Sequence, residues 1–366
     1  MKILVLADVH IGSRPDIADY YEKELSTIPD ILIKNKVKII VIAGDLFDKR
    51  ISTNSEFNTY ANLFVNSIAK YCRVNNSYLY IVKGTMSHDL YQLDSFLYLT
   101  KDHLNNTFII KTCQEVFVEN CKFLFIPEEY EANKEEYYKD TIFNKEKKYD
   151  MVFGHGMFTF AGGYAVESCK NNHIVFRPED FKDNVYGYVV FGHIHISMGR
   201  DNCIYTGSFS RDSFGEEPNK GCLLFDYNPE TKKCTKEFII NKNAPIFKTI
   251  NARNIPDNAV GITIANELKS CYRLRVIIDS DITEEKYNNL KAITYENDKL
   301  YLYKRMRGLS KQEEDKKDEE IQKHREKRRA IIERYSKMDF IEVTKNYAKD
   351  KYGIELTSDD IKESIA

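Results

Sequence analysis

The chain has 366 residues, 42% of them hydrophobic, which is enough for two or three domains with a sizeable core. Its formal net charge of −2 excludes a protein-wide basic field, so any contact with nucleic acid needs a local patch. Asp8 interrupts the N-terminal apolar run, and no stretch approaches the ~20 apolar residues of a membrane span. The eight cysteines form no Cys-x-x-Cys pair, so we expect free thiols and a soluble protein of the reducing cytoplasm.

Five short apolar runs, each of the length of a buried strand, end in Asp or His. They lead into Asp8-Val9-His10, Gly44-Asp45-Leu46-Phe47-Asp48, Gly84-Thr85-Met86-Ser87-His88-Asp89, Gly154-His155 and Gly192-His193-Ile194-His195. Helical spacing over 17–35 and 56–71 predicts crossover helices between the first three strands. Ligand sites in open α/β sheets lie beyond the carboxyl ends of the strands, so the five polar ends should meet. Imidazole and carboxylate groups together favour manganese, iron or zinc.

The remaining pattern predicts three regions. Strand-like runs up to residue 240 complete a core of two sheets flanked by helices, within a first domain over 1–244. A strand, strand, helix, strand pattern follows in a second region over 245–307. The charge-dense region over 308–366 predicts a helical tail. Its basic run at 323–329 is interpreted either as a solvated helix face or as a DNA contact. Its later apolar residues pack either on the chain itself or on a partner.

The ordered motifs resemble those of the calcineurin-like metallophosphoesterases, and within that superfamily those of SbcD-type (meiotic-recombination-eleven-like) DNA exonuclease subunits. The segments that carry the closer resemblance are Ile3–Gly12, Gly44–Asp48 and Tyr205–Gly221, with Tyr-Thr-Gly-Ser, Phe-Gly-Glu and Lys-Gly in the last. The motifs span residues 1–240. The resemblance implies an α/β fold: a four-layer α/β/β/α metallophosphoesterase sandwich with a small α+β cap domain over 245–307, which contacts DNA, and a helical C-terminal tail over 308–366, which docks on an ATPase.

The resemblance also implies a site with two divalent metal ions, of which manganese is expected. One ion would bind Asp8, His10 and His195, the other would bind His155 and His193, and Asp45 would bridge them. His88 would act on the phosphate as a proton donor or charge stabiliser, with Asp89 available to orient its ring. Asp48 would hydrogen-bond the ligands, and Arg211 would bind substrate.

One position departs from the family pattern. Where the family has Gly-Asn-His, this chain has Gly84-Thr85-Met86-Ser87-His88, a loop that is longer by two residues. We expect Ser87 to replace the Asn ligand of the second metal. Because a serine hydroxyl is a shorter and usually weaker neutral ligand than an amide oxygen, this predicts a weaker second site.

By resemblance, the activity would be 3′→5′ exonuclease on duplex DNA and endonuclease on single strands, in DNA repair, recombination or replication. DNA and an SbcC-like coiled-coil ATPase are the expected partners, no membrane is involved, and a homodimer is left open. Two other classes stay open. One is a metallophosphodiesterase or phosphatase for small substrates, and the other is a metal-binding scaffold that has lost hydrolysis.

Overall fold

The computed structural model describes residues 1–13, 18–52, 54–89, 91–100, 106–131, 133–161 and 174–304, and the isolated positions 342, 345, 349, 355 and 357. The chain divides into two compact units, Met1–Ile278 with Ile282–Tyr303, and Asp279–Asp281 with Lys304–Ala366. The predicted helical tail, its basic run and its docking stripe fall in the second unit, almost wholly outside the described residues.

The strands of the described residues are β1 (Lys2–Leu6), β2 (Ile39–Ala43), β3 (Tyr78–Val82), β4 (Thr107–Ile110), β5 (Gln114–Val118), β6 (Cys121–Ile126), β7 (Met151–His155), β8 (Met157–Phe158), β9 (Val175–Phe176), β10 (Val189–Gly192), β11 (Met198–Arg200), β12 (Cys203–Tyr205), β13 (Gly221–Tyr227), β14 (Cys234–Ile240), β15 (Phe247–Asn251), β16 (Arg273–Ile278) and β17 (Leu300–Lys304). The α-helices are α1 (Ala18–Leu25), α2 (Thr27–Asn35), α3 (Glu56–Asn75), α4 (Leu97–Thr100), α5 (Lys134–Tyr137), α6 (Pro178–Phe181), α7 (Val260–Ser270) and α8 (Glu284–Glu296).

Two six-stranded sheets form the core. Their strand orders are β14-β13-β1-β2-β3-β4 and β11-β12-β10-β7-β6-β5. Strands β1, β2, β3 and β4 are parallel neighbours, as are β6, β7, β10 and β12, so each sheet aligns the carboxyl ends of several strands. Parallel pairing requires long crossovers, and α1, α2 and α3 supply them where helical spacing predicted them. The predicted helix over 17–35 is broken at Ser26, between α1 and α2.

Three apolar clusters separate four layers. Alternate residues of β1 show the arrangement: Leu4 and Leu6 pack with the helices, whereas Ile3 and Val5 pack between the two sheets. The outer face of the second sheet carries a third cluster with Phe158, among others. Because both faces of the first sheet are covered, β2 consists of buried apolar residues throughout, and β1 does so after the half-buried Lys2. The predicted α/β/β/α sandwich is therefore confirmed.

A three-stranded sheet, β15-β16-β17, follows the sandwich and has an apolar cluster of its own with α7 and α8. The three predicted strands are present as β15, β16 and β17, and the one predicted helix is present as α8. The helix α7 was not predicted. Its N-cap position, Ala259, makes no side-chain hydrogen bond, and the helix begins Val-Gly-Ile-Thr, so the usual start signals are missing. The domain boundary near residue 245 stays a prediction.

The cysteines among the described residues are free thiols, as expected. None of the helices in the described ranges is both long and apolar enough to cross a bilayer.

Candidate metal centre

Four of the predicted ligands have an unusual backbone conformation. Asp8, His10, Asp45 and His193 adopt positive φ angles of 51°, 50°, 50° and 99°. Such conformations cost roughly 1–3 kcal/mol each outside glycine and persist only where the surroundings impose them. Here the first two loops support each other, because the amide of Asp8 donates to Gly44 O (3.1 Å) and that of His10 donates to Asp45 O (3.1 Å). The fold therefore holds these side chains in place at an energetic cost.

Asp8, His10 and His195 form the first ligand group, with one ligand atom each, all within 4.8 Å of one another. The Nε2 atoms of His10 and His195 are 3.0 Å apart. The Nδ1 of His195 faces Glu216 Oε1 at 3.1 Å, so the carboxylate orients the ring with Nε2 toward the group. Glu216 in turn pairs with the buried ammonium of Lys220 at 3.0 Å. The Phe-Gly-Glu and Lys-Gly segments of the sequence thus support a ligand.

Asp45, His155 and His193 form the second group within the same limit. Oδ2 of Asp45 lies 3.2 Å from Nε2 of His155. The Nδ1–H of His155 donates to Ala43 O at 2.8 Å, which leaves Nε2 to face the ligand group. A Cβ on Gly44 would lie 2.1 Å from that Nδ1, so only glycine fits beneath the ring. Asp45 also groups with His10, so it lies between the two sets, as predicted for a bridging ligand.

Thr85, rather than Ser87, lies beside the second group. Its backbone N–H donates to Asp45 Oδ1 at 2.6 Å, and its hydroxyl is 3.0 Å from both Asp45 Oδ2 and Glu128 Oε2. Ser87 is exposed. The structure therefore differs from the prediction that Ser87 is a ligand. The physical reason is that the two additional residues follow Thr85, so the residue directly after Gly84 keeps the position next to the carboxylate.

Glu128 is a site residue that the sequence analysis missed. It is 4% exposed, and its Oε2 lies 3.5 Å from Nδ1 of His193 and 3.6 Å from Nε2 of His155. The sequence does contain a signal for this residue. Pro127 and Glu128 directly follow β6, which is parallel to β7, the strand of His155, so both strands end at the same edge of the sheet. The pattern of strand ends in Asp or His does not include a strand that ends in Glu.

Asp89 organises the loops instead of the ring of His88. Its carboxylate accepts the backbone N–H groups of Gly84 (2.8 Å), Asp45 (3.1 Å) and Phe47 (3.2 Å). The pKa of Asp89 is raised to about 7, mainly because the carboxyl group is buried. In place of the expected contact with the ring of His88, Asp89 makes hydrogen bonds that join the second and third strand-end loops.

His88 lies beside the ligands, and its ring is held by another group. Its Nδ1 donates to the backbone carbonyl of Asp48, and its ring packs edge-on against His10 with centroids 4.9 Å apart. One ring nitrogen also lies within 4.8 Å of ligand atoms of His10 and Asp45. The side chain of Asp48 approaches His10 Nδ1 at 3.6 Å, an electrostatic contact longer than the predicted hydrogen bond.

Arg211, the predicted substrate-binding residue, makes structural contacts. Its guanidinium donates to the carbonyl oxygens of Glu216 (2.9 Å), Pro218 (3.1 Å), Glu217 (3.4 Å) and Pro245 (3.5 Å). These contacts do not support a phosphate-binding role, because backbone acceptors already take its donors. They stabilise the loop that carries Glu216.

The electrostatics of the site favour cations. Burial is the largest influence on the pKa of His10 and lowers it to about 3, which keeps its imidazole neutral, as a metal ligand must be. Burial also acts against the charge on His155 and His195, but neighbouring carboxylates outweigh it. Glu216 and Asp8 raise the pKa of His195 to about 9, and Asp45, Asp8 and Glu128 raise that of His155 well above its ordinary value. The carboxylates of the site thus favour positive charge next to them, which divalent cations can supply.

The donor set also fits a pair of divalent metals. Asp and His side chains are ligands of the transition metals, and two groups with one carboxylate between them provide for two ions. One ring nitrogen of His10, Nδ1, is buried and has no hydrogen-bond partner among the described residues. The other, Nε2, faces His195 within the first group.

Comparison with known proteins identifies the family. A family model described as calcineurin-like phosphoesterase matches residues 1–197. The chain belongs to the calcineurin-like phosphoesterases. Enzymes of this family are metal-dependent phosphoesterases, so the chain is assigned to the hydrolases, and its two ligand groups are candidate sites for divalent metals.

Two relatives of this calcineurin-like phosphoesterase and one solved structure that it matches differ in their descriptions. A putative phosphoesterase, 244L, of Invertebrate iridescent virus 6 is 25% identical over 298 residues, which cover 78% of this chain and 96% of the viral one. The DNA double-strand break repair protein Mre11 of Nanoarchaeum equitans is 22% identical over 369 positions and 92% of each chain. A solved structure of a novel phosphatase from Mycoplasma pneumoniae has a TM-score of 0.38 and 11% identity, over 65% of this chain and 92% of that one.

Proposed function

We propose that this phosphoesterase is a metal-dependent DNA nuclease subunit that hydrolyses phosphodiester bonds. The observation that carries the proposal is the pair of ligand groups, with Asp45 between them, at the carboxyl ends of parallel strands. By the resemblance of its motifs, the activity is 3′→5′ exonuclease on duplex DNA and endonuclease on single strands. Manganese is the proposed metal, since imidazole and carboxylate ligands suit it.

The described side chains divide the work. Asp8, His10 and His195 hold one metal and His155 and His193 hold the other, with Asp45 between them. Bound metals would supply charge neutralisation on the phosphate and a water of lowered pKa. His88 holds its Nδ1 proton against the Asp48 carbonyl, so Nε2 is the atom that stabilises charge on the phosphate or donates a proton to the leaving oxygen.

One face of the small sheet supports a polynucleotide substrate over a small ester. In β16, Arg273 and Arg275 alternate with buried Leu274, so both point to the face away from the apolar cluster. Arg273 lies over the ring of Tyr301 at 5.3 Å, and Arg275 lies over the ring of Tyr303 at 5.7 Å. The two tyrosines are 38% and 55% exposed. Arginine and aromatic side chains together bind phosphates and stack on bases.

This face of the small sheet adjoins the loop that carries Glu216, the residue that orients the ligand His195. The ring of Phe214 packs against Tyr301 with centroids 5.8 Å apart, and Arg275 lies over it at 4.7 Å. Two residues later, Glu216 orients His195. A DNA strand bound on this face would therefore lie next to the loop with Phe214 and Glu216, which contacts the ligand His195.

The similarity to the Nanoarchaeum repair protein over 92% of each chain also supports a DNA substrate. By the same resemblance we propose an SbcC-like coiled-coil ATPase as partner, docked by the tail over 308–366, and a place in DNA repair, recombination or replication. A homodimer stays open.

The test compares substrates for the full chain with added Mn²⁺. End-labelled linear duplex, circular single-stranded DNA and bis-p-nitrophenyl phosphate separate the exonuclease, endonuclease and simple diesterase activities. We expect the protein to degrade both DNAs, and expect chelation or Asp45→Asn to abolish this. Hydrolysis of the small ester alone would assign the chain to the small-substrate phosphodiesterases. Tight metal binding without hydrolysis of any substrate would assign it to the scaffold class.

A further inference from the structure

The carboxylate of Glu128 reaches into the second ligand group from a strand end that contributes no histidine. Its backbone is held by the hydrogen bond from its N–H to Lys83 O at 3.2 Å. The hydroxyl of Tyr130 donates to Oε1 at 3.0 Å. With that oxygen engaged, Oε2 is the atom that faces Thr85, His193 and His155. The side chain is thus held at both ends and directed at the second ligand group.

The spacing of these atoms fits a common ion. Ligand atoms about 2.1 Å from a metal in tetrahedral or octahedral arrangement lie roughly 3.0–3.4 Å from one another. The distance from Asp45 Oδ2 to His155 Nε2 is 3.2 Å, and Glu128 Oε2 lies 3.6 Å from that same nitrogen and 3.5 Å from His193 Nδ1. These values need only small shifts to become the edges of one coordination shell.

The hydroxyl of Thr85 lies close to two carboxylates, those of Asp45 and Glu128. It lies 3.0 Å from Asp45 Oδ2 and 3.0 Å from Glu128 Oε2, and it has a single proton to donate. Both carboxylates are nearly buried, and two negative charges held this close to one hydroxyl group repel each other. A divalent ion between the two oxygens would compensate both carboxylates at once.

We infer that Glu128 is a ligand of the second metal, and that Thr85 positions the two carboxylates rather than binding the ion itself. The inference rests on the proposed metal-dependent function and adds a residue to that site. The second ion would then have Asp45, Glu128, His155 and His193, two of them carboxylates, which together balance its charge. This reverses the expectation of a weak second site that was drawn from Ser87.

The test is metal binding by the full chain after its metals have been removed. Glu128→Gln keeps the shape of the side chain and removes its charge. Glu129→Gln is the matched control, because Glu129 is also buried but accepts from Cys113 N, Tyr137 and Tyr138 instead of facing the ligands.

Titration calorimetry with Mn²⁺ and electron paramagnetic resonance of the loaded proteins are the readouts. We expect two tight sites and a spin-coupled manganese pair in the wild type and in Glu129→Gln. In Glu128→Gln we expect the second ion to bind at least about tenfold more weakly and the spectrum to show isolated Mn²⁺. If Glu128→Gln does not fold, Glu128→Asp retracts the carboxylate by one methylene and should weaken the same ion selectively.

Two tight sites in folded Glu128→Gln, unchanged affinity in Glu128→Asp, or equal weakening by Glu129→Gln would each overturn the inference. The outcomes separate it from the proposed function. Two tight ions that depend on Glu128, in a protein that does not hydrolyse DNA, would refute the nuclease and leave the ligand in place. DNA hydrolysis by a protein whose second metal site does not depend on Glu128 would support the nuclease and refute the role of Glu128 as a ligand.

Discussion

Replacing Asp89 by asparagine tests whether this buried carboxylate holds the strand-end loops in position. Its two oxygens accept three backbone N–H groups, those of Gly84 and Asp45 at Oδ2 and that of Phe47 at Oδ1. An asparagine has one acceptor oxygen, which can keep the pair at Oδ2. Its NH₂ group would then face the N–H of Phe47, a donor opposite a donor in a fully buried site.

The size of the effect follows from these bonds. A buried N–H left without an acceptor costs about 1–3 kcal/mol, and the two remaining bonds become weaker because their acceptor is no longer charged. We expect the free energy of unfolding to fall by about 2–3 kcal/mol, and the melting temperature to fall by roughly 4–12 °C. Because all three donors lie in the loops that carry Asp45 and Thr85, the affinity for metal should fall as well.

Thermal and urea unfolding of the metal-free protein at about pH 8, above the raised pKa of Asp89, measures the first effect, and calorimetric titration with Mn²⁺ measures the second. Asp94→Asn is the control, because Asp94 lies nearby, is partly exposed and pairs with Lys111; it should change stability by no more than ~0.5 kcal/mol. Wild-type stability and metal affinity in Asp89→Asn would refute the positioning role.

Three further predictions address the reaction, the substrate and the partner. His88→Ala should reduce turnover by roughly 10²–10⁴-fold while elemental analysis shows near-normal metal content; loss of both metals would mean that His88 is a ligand. Arg273→Gln with Arg275→Gln should weaken the binding of a single-stranded oligonucleotide by roughly 1–3 kcal/mol in fluorescence anisotropy. Turnover of bis-p-nitrophenyl phosphate should stay unchanged, and equal losses on both substrates would exclude this face as a DNA contact. Deleting residues 330–366, outside the described ranges, should spare hydrolysis of short substrates and abolish co-purification with the ATPase; an aggregated product would mean that the segment belongs to the folded core.

Local pattern alone predicted the two sheets flanked by helices and the strand ends that carry the candidate ligands. The length of each apolar run sets where a buried strand ends, and the next few residues must turn at that edge. Asp8, Asp45 and His155 are therefore located by their distance along the chain from an apolar run. Parallel order then follows from the helical crossovers between the runs. None of this depends on knowing which residues touch.

Contacts between distant parts of the chain decided the rest. Ser87 and Thr85 are equivalent as hydroxyl residues in the sequence, and only the path of the longer loop places Thr85 against Asp45. Glu128 reaches His193 because β6 pairs with β7 and β7 with β10 in the second sheet. The sequence states which side chains are available at strand ends. Which of them share a coordination shell depends on sheet order and loop path, since atoms 65 residues apart in the chain meet only after folding.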